Sequence, residues 1–475
     1  MSNKVYITTS IPYVNGDPHI GYTLEVVQAD ALARYFRLKN KDVFFLSGTD
    51  ENAIKNVEAA QKQGKSTQDL VDQYAQSFLK LKEVFNLTYD GFIRTSEDRH
   101  KRGSQKFWQL CKKDLYKKKY EGLYCVGCET FYKEGQFPDN ICPEHNRKLD
   151  LIQEENYFFA ISKYRDQLKK YLESDEIQIF PEFRKNEVLS YLETDLDDFS
   201  VSRPIERTKK WGIPVPNDAS QMIYVWFDAL LNYITGLDFA DEEELYKKYW
   251  ITNPERYQFI GKNIIKFHLL YWPAMLMSAG IPLPKRMYVH GFMTLNGEKI
   301  SKSLGNVIDP FEVAKEYGVE AVRYYLLREI PSANDGDFSY QRMDQLYTSE
   351  LANELGNLIS RITTLSETDG IIFEKTIEPQ WNIISEHMNN FRYNVALEAI
   401  WGKIKELNRS INEFAPWKKS SEDRKEFLLS SLTEIHQVGL LIQPFMPNTA
   451  LQILEATQGK VKKVTPMFPR KDKKI

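Results

Sequence analysis

Residues 5–51 read VYITTSIPYVNGDPHIGYTLEVVQADALARYFRLKNKDVFFLSGTDE, and the change of pattern along them decides the fold class. The β-branched run over residues 5–9 reads as a strand. Residues 21–39 then place Leu24, Val27, Ala31, Tyr35 and Leu38 three and four apart, which is the apolar face of a helix. Residues 42–51 are mostly apolar and read as a second strand, buried on both faces as parallel strands are. Together they make a βαβ unit. Its right-handed crossover puts the carboxyl ends of both strands on one sheet edge, where open α/β folds bind ligands. His19 follows the first strand and Asp50 the second, so topology alone expects both at that edge.

The chain of 475 residues is too long for one core and is expected to form two to four domains. Its 42% hydrophobic and 27% charged residues are those of an ordinary globular protein. No apolar run is long enough to span a membrane, and MSNKVYITTS at the N-terminus lacks a signal-peptide core, so a cytoplasmic protein is expected. A net charge of −3 gives no global case for nucleic-acid binding, so any such surface must be local. The basic tail GKVKKVTPMFPRKDKKI, residues 459–475, reads as a solvated terminus.

Residues 116–215 interrupt the βαβ rhythm with short strands and aromatics. An α/β pattern resumes in MIYVWFDALLNYI and continues through YQFIGKNIIKFHLLYWPAML and RMYVHGFMTLNGEKI, where Asn296-Gly297 signals a hairpin. From about residue 340 the pattern is helical throughout. There is no internal repeat and no low-complexity linker.

HIGY by itself reads as a helix N-cap. A helix N-terminus nevertheless offers unpaired N–H groups and a positive dipole end to a phosphate, and Gly21 allows close approach to the backbone. EKISKSLGN, residues 298–306, sets two lysines three apart among serines; alone it is a cationic surface loop. Of four cysteines, Cys111 in FWQLC reads as buried packing. Cys125, Cys128, Cys142 and His145 are spaced C-x2-C-x13-C-x2-H, two close pairs that can grip a metal from either side. Three thiolates and one imidazole suit tetrahedral zinc with no open position, hence one structural zinc per chain. Asn353, Asn357 and Arg361 form a polar stripe on a helix whose other side shows Leu355, Leu358 and Ile362.

The ordered occurrence of PYVNGDPHIG, FLSGTDE, YCVGC with CPEH, EENYFF, SRP with WGIPVP, YVWFDALLNY, FIGKNIIKFH, KISKSLGN and APW resembles the methionyl-tRNA synthetases, class I enzymes with HIGH and KMSKS motifs. The resemblance runs over nearly the whole chain and fits members with one zinc knuckle. It implies an α/β fold: a Rossmann-like catalytic domain with a zinc-knuckle insertion, then an α-helical anticodon-binding bundle. The implied boundaries are 1–115 and 216–295 for the two catalytic halves. The insertion takes 116–215, with its knuckle at about 122–148. Residues 296–345 carry the KISKS loop and stem contacts, and 346–475 the anticodon domain.

The resemblance further implies ATP-dependent activation of L-methionine and transfer to methionine tRNA. Methionine would be enclosed by Ile11, Tyr13, Trp226, Ala229, Tyr233, Ile264 and His268, with Asp50 on its ammonium. Trp226, Ala229 and Tyr233, three and four apart, would share a helical face. A thioether packs well on aromatic edges. ATP, with magnesium, would meet His19, Gly21, Tyr22, Lys299, Ser301, Lys302 and Ser303, with His19, Lys299 and Lys302 catalytic. Asn357 and Arg361 would read anticodon bases and Trp417 would stack on one. No appended dimerising domain follows the bundle, so a monomer is expected. Two positions depart from the family pattern: Tyr22 stands where HIGH has its second histidine, and Asn52 where GTDEH has one. The competing readings are a non-catalytic tRNA- or methionine-binding protein and another class I synthetase, leucyl or cysteinyl. Lys299, Lys302, Asp50 and Trp226 weigh against the first, the WFDALLNY pocket and the short insertion against the second.

Overall fold

The computed structural model describes residues 3–143, 146–174, 176–194, 196–300 and 305–470. Two compact units emerge, Met1–Pro18 with Asn40–Val289, and His19–Lys39 with His290–Ile475.

In the first unit, β1 (Lys4–Thr9) pairs in parallel with β2 (Asp42–Thr49) on one side and with the strand Arg256–Gly261 on the other. β2 in turn pairs in parallel with β3 (Gly91–Arg94). Six strands result, in the order β3, β2, β1, Arg256–Gly261, Arg286–His290, Gln178–Phe180. The expected parallel arrangement of the first two strands is what forms. Val5 to Thr9 are buried without alternation, the pattern of a strand covered on both faces. Pro12, which has no N–H to give a ladder, follows closely and interrupts the regular pairing. Tyr6, Leu46, Phe107, Trp108, Trp250 and Trp272 belong to the core over this sheet. Each such side chain contributes roughly 1.5–3 kcal/mol by leaving water.

The insertion is a long antiparallel ribbon. Leu115–Cys125 pairs with Asp150–Phe159 from Leu115 opposite Phe159 to Tyr124 opposite Asp150. Cys125 therefore ends one strand at the far tip, where the short pair Ile141–Cys142 and Arg147–Lys148 closes the knuckle.

In the second unit, α1 (Ile20–Leu38) is buried almost all round. Its buried charged side chains are matched: Asp30 meets the buried Arg323 at 2.8 Å and Arg34 at 2.8 Å, and Glu25 meets His290 at 2.7 Å. Such pairing is what makes buried charge tolerable. Asn296 and Gly297, with φ of 51° and 80°, form the expected tight hairpin between Met293–Leu295 and Glu298–Lys299. Long helices follow, Asn357–Thr368, Tyr393–Phe414 and Ser421–Ile442 among them. The tail corrects the sequence reading. Rather than a solvated terminus, Gly459–Lys460 pairs with Ile372–Phe373, Phe468 is buried against the Tyr347 ring, and the Tyr347 hydroxyl donates to Pro469 O at 2.9 Å. The apolar Val461 and Phe468 among the lysines supply the anchoring that a charge count misses.

Candidate functional site

In the first unit Tyr13 and Asp50 stand just beyond β1 and β2, while Trp226, Ala229, Tyr233, Ile264 and His268 lie on short helices. Tyr13 and Asp50 lie side by side in a single parallel bridge beyond β1 and β2, and Asp50 N–H donates to Pro12 O at 2.9 Å. Trp226 stacks flat on Phe267, centroids 3.8 Å apart and planes 4° apart, and meets Tyr13 edge-on at 6.5 Å. The Tyr233 hydroxyl and His268 Nε2 are 2.7 Å apart, and His268 Nδ1 is 2.9 Å from Ile264 O. A carbonyl can only accept, so Nδ1 carries the hydrogen and Nε2 accepts from Tyr233. Burial pushes His268 down to about 4, which keeps the ring neutral near pH 7. Ala229 is buried, while Ile11 and Ile264 are half-buried.

The expected continuous helix through Trp226, Ala229 and Tyr233 is instead two short ones, Val225–Ala229 and Asn232–Thr235. Every residue from Phe227 to Leu237 is buried, so no solvent face favours one regular helix, and tighter turns accommodate the packing. Trp226 and Tyr233 still both address the segment that carries Phe267 and His268.

Charge distinguishes this pocket. Asp50, Asp228 and Glu129 are all buried. Desolvation, and then the neighbouring Asp228 and Glu129 carboxylates, hold Asp50 well above the usual carboxylate range. Burial likewise raises Asp228, while its hydrogen bond from Asn52 Nδ2, 2.6 Å, opposes the shift. Asp50 Oδ1, Asp228 Oδ1 and the Tyr13 hydroxyl are buried without a hydrogen-bond partner among the described residues. Unpartnered buried acceptors around anionic groups are costly, and a ligand ammonium would satisfy them.

At the insertion tip, the Cys125, Cys128 and Cys142 sulfurs all lie within 4.8 Å of one another. Cys128 Sγ and Cys142 Sγ are 3.5 Å apart, and Cys128 N–H donates to Cys125 Sγ at 3.4 Å. Thiolates around tetrahedral zinc at about 2.3 Å stand about 3.8 Å apart, so these three fit a metal of that kind. His145 lies outside the described residues. Cys111 is buried, as expected of a packing residue.

In the second unit, His19 caps α1: its Nδ1 accepts the Gly21 N–H at 3.1 Å, which in the neutral ring puts the hydrogen on Nε2. A Cβ at Gly21 would stand 3.0 Å from two atoms of that imidazole, so the glycine makes room for the cap. Tyr22 sits half-buried in the first turn. Lys299 lies in the hairpin strand Glu298–Lys299, and Ser301, Lys302 and Ser303 fall outside the described residues.

The polar stripe of the helical region opens on a groove of about 620 Å³. Asn353, Asn357 and Arg361 form one wall, and Lys405, Asn408, Arg409 and Asn412 the other. Arg361 Nη2 donates to Asn412 Oδ1 at 3.0 Å, and its guanidinium lies 4.8 Å from the centre of the exposed Trp417 ring. The structure thus joins the three expected residues. The second wall was missed, although Lys405, Asn408 and Asn412 repeat at helical spacing in the sequence.

Comparison with known proteins decides what these features belong to. The family model described as "tRNA synthetases class I (M)" matches residues 5–150 and 138–363. Methionine–tRNA ligase of Thermotoga maritima is 42% identical over 95% of this chain and 74% of its own length. That of Brucella suis is 39% identical over 95% of this chain and 91% of its own. A solved structure of Mycobacterium tuberculosis methionyl-tRNA synthetase in complex with methionyl-adenylate superposes with a TM-score of 0.91 at 35% identity, covering 99% of this chain and 100% of that one. The chain belongs to the methionyl class I tRNA synthetases.

The expected family and fold class are therefore those found: a parallel α/β sheet, a cysteine knuckle able to hold a metal, and a helical C-terminal region. No described helix is long and apolar enough to cross a membrane. Asp228 and Glu129 are buried acids beside Asp50 that the sequence reading left out. Asp228 lies inside the quoted WFDALLNY and Glu129 directly after Cys128, but only the fold reveals that both are buried beside Asp50.

Proposed function

We propose that the chain activates L-methionine with ATP and transfers it to the 3′-terminal adenosine of methionine tRNA. The observation that carries this reading is the buried pocket of Asp50, Tyr13, Trp226, Tyr233 and His268 in a chain of this family. Asp50 takes the methionine ammonium, which neutralises a carboxylate otherwise left unpartnered on one oxygen. To the thioether we assign Trp226, Ile11, Ala229 and Ile264, and the neutral His268–Tyr233 pair supplies a polar but uncharged contact.

With its ammonium held, the methionine carboxylate attacks the α-phosphorus in line. The bond to the β-phosphate oxygen breaks, and pyrophosphate leaves with the charge. Positioning and charge stabilisation govern such a step. To the triphosphate we assign His19 Nε2–H, the N–H groups at the start of α1, Tyr22, Ser301, Lys302 and Ser303, and to Lys299 the positioning of the loop. Magnesium bound with ATP supplies counter-charge to the phosphates. A ribose hydroxyl of the tRNA terminus then attacks the adenylate carbonyl, and AMP departs. Cys125, Cys128, Cys142 and His145 hold one zinc, which has a structural role. Asn357, Arg361 and Trp417 select the anticodon, with the chain acting as a monomer.

ATP–pyrophosphate exchange measured with each amino acid in turn tests the reading. Methionine alone should support exchange. Exchange with leucine or cysteine instead overturns the substrate assignment, and no exchange with any amino acid favours a binding protein.

A further inference from the structure

The residue after the second knuckle cysteine does something that the metal site does not require. Glu129 has a left-handed backbone, φ 52°, and a buried side chain. Its Oε1 accepts the N–H of Lys55 at 3.3 Å. Lys55 lies in the first turn of α2 (Ile54–Lys62), whose own N-cap residue, Ala53, makes no side-chain cap. Glu129 thus caps α2 from a distant part of the chain and places a carboxylate at the positive end of its dipole. α2 directly follows Asp50, and Asn56 in its first turn donates to Asp50 O at 3.2 Å and Glu51 O at 2.9 Å.

Glu129 and the preceding Cys128 also reach the aromatic wall of the pocket. Glu129 O accepts the Tyr224 hydroxyl, and Cys128 O accepts Trp226 Nε1 at 3.5 Å. At the knuckle's edge Glu129 therefore reaches both the ammonium side and the aromatic side, and Cys128 beside it holds Trp226.

We infer that Glu129 is a positioning residue for the amino-acid site, through which the metal-bound knuckle sets methionine affinity. The inference rests on the pocket being the methionine site. The knuckle fixes Cys128, Cys128 fixes the left-handed turn at Glu129, and the turn fixes the start of α2 and hence Asp50. Loosening any link lets the Asp50 carboxylate drift from the substrate nitrogen without touching the nucleotide residues.

Equilibrium titration of methionine into the zinc-loaded protein, followed by tryptophan fluorescence, tests this. Glu129→Ala should weaken methionine binding about tenfold, the effect of losing one good helix cap. Glu129→Asp, one methylene too short to reach, should weaken it comparably, whereas Glu129→Gln keeps the accepting oxygen and should stay within about threefold. Zinc content and the KM for ATP should not change in any of the three. Chelating zinc from the unaltered protein should weaken methionine binding by a similar factor, yet add little in Glu129→Ala. Unchanged affinity in Glu129→Ala and Glu129→Asp overturns the inference, as does a full additional loss when Glu129→Ala is stripped of zinc. Should Glu129→Ala not fold, the contrast between Glu129→Asp and Glu129→Gln decides in its place. If the unaltered zinc-loaded protein does not bind methionine at all, the pocket reading fails instead.

Discussion

The amino-acid pocket and the helical groove handle polarity in opposite ways. Around Asp50 three carboxylates are buried together, and several polar atoms have no partner among the described residues. Along Asn357 and Arg361 the polar groups face an open groove, where Arg361 bonds to Asn412 across it. A dry pocket makes one missing or wrong charge expensive, so it can discriminate a small ligand steeply. A wet groove makes each contact modest, so recognition of a nucleic-acid loop there must be shared among stacking and edge contacts.

The largest effect is expected from Asp50→Asn. Removing one partner of a desolvated charge pair costs about 3–5 kcal/mol, so methionine-dependent exchange should fall by roughly two to three orders of magnitude in kcat/KM. Filter binding of methionine tRNA should not change. A loss below tenfold would show that the pocket is wetter than its burial indicates.

In the groove, Trp417→Ala removes an exposed ring that is braced by Arg361. Loss of one base stack costs about 1–3 kcal/mol, which should appear as a raised KM for tRNA in aminoacylation. Exchange without tRNA should continue at the parent rate. If both activities fall together, Trp417 is a packing residue, and the contrast between the regions weakens.

The smallest effect belongs to Tyr22. A neutral hydroxyl at the start of α1 can give one hydrogen bond but no charge. Tyr22→Phe should cost about 0.5–1.5 kcal/mol of transition-state stabilisation in pyrophosphate exchange. His19→Ala removes both a helix cap and an Nε2 donor and should cost more. Equal losses would mean that Tyr22 carries more of the nucleotide than a single neutral bond allows.

Much of this was legible in the sequence because periodicity and spacing are local. The β1–α1–β2 unit follows from its pattern, the hairpin from Asn296-Gly297, and the cysteine cluster from its spacing. In the groove, Asn357 and Arg361 share a helix face by their four-residue spacing, whereas Trp417 came from the family resemblance and only the fold puts its ring under Arg361. What stayed hidden depends on contacts between residues far apart in the chain. Glu129 and Asp228 look like ordinary surface acids until the fold buries them beside Asp50. The tail looked solvated because its lysines outnumber the two apolar residues that anchor it. The broken helix at Leu230 escaped because total burial removes the solvent face that keeps a helix regular.

The pocket proposed for the amino acid buries acids whose ionised forms are costly until an ammonium arrives. Thermal melting of Asp50→Asn beside the parent, each with and without saturating methionine, tests it most directly. Without ligand, replacing an acid whose ionised form is disfavoured by burial and by Asp228 and Glu129 should raise the melting temperature of the variant by a few degrees near neutral pH, at about 2–4 °C per kcal/mol for domains of this size class. Methionine should stabilise the parent and leave the variant unmoved. A variant that melts below the parent and is still stabilised by methionine would contradict the account.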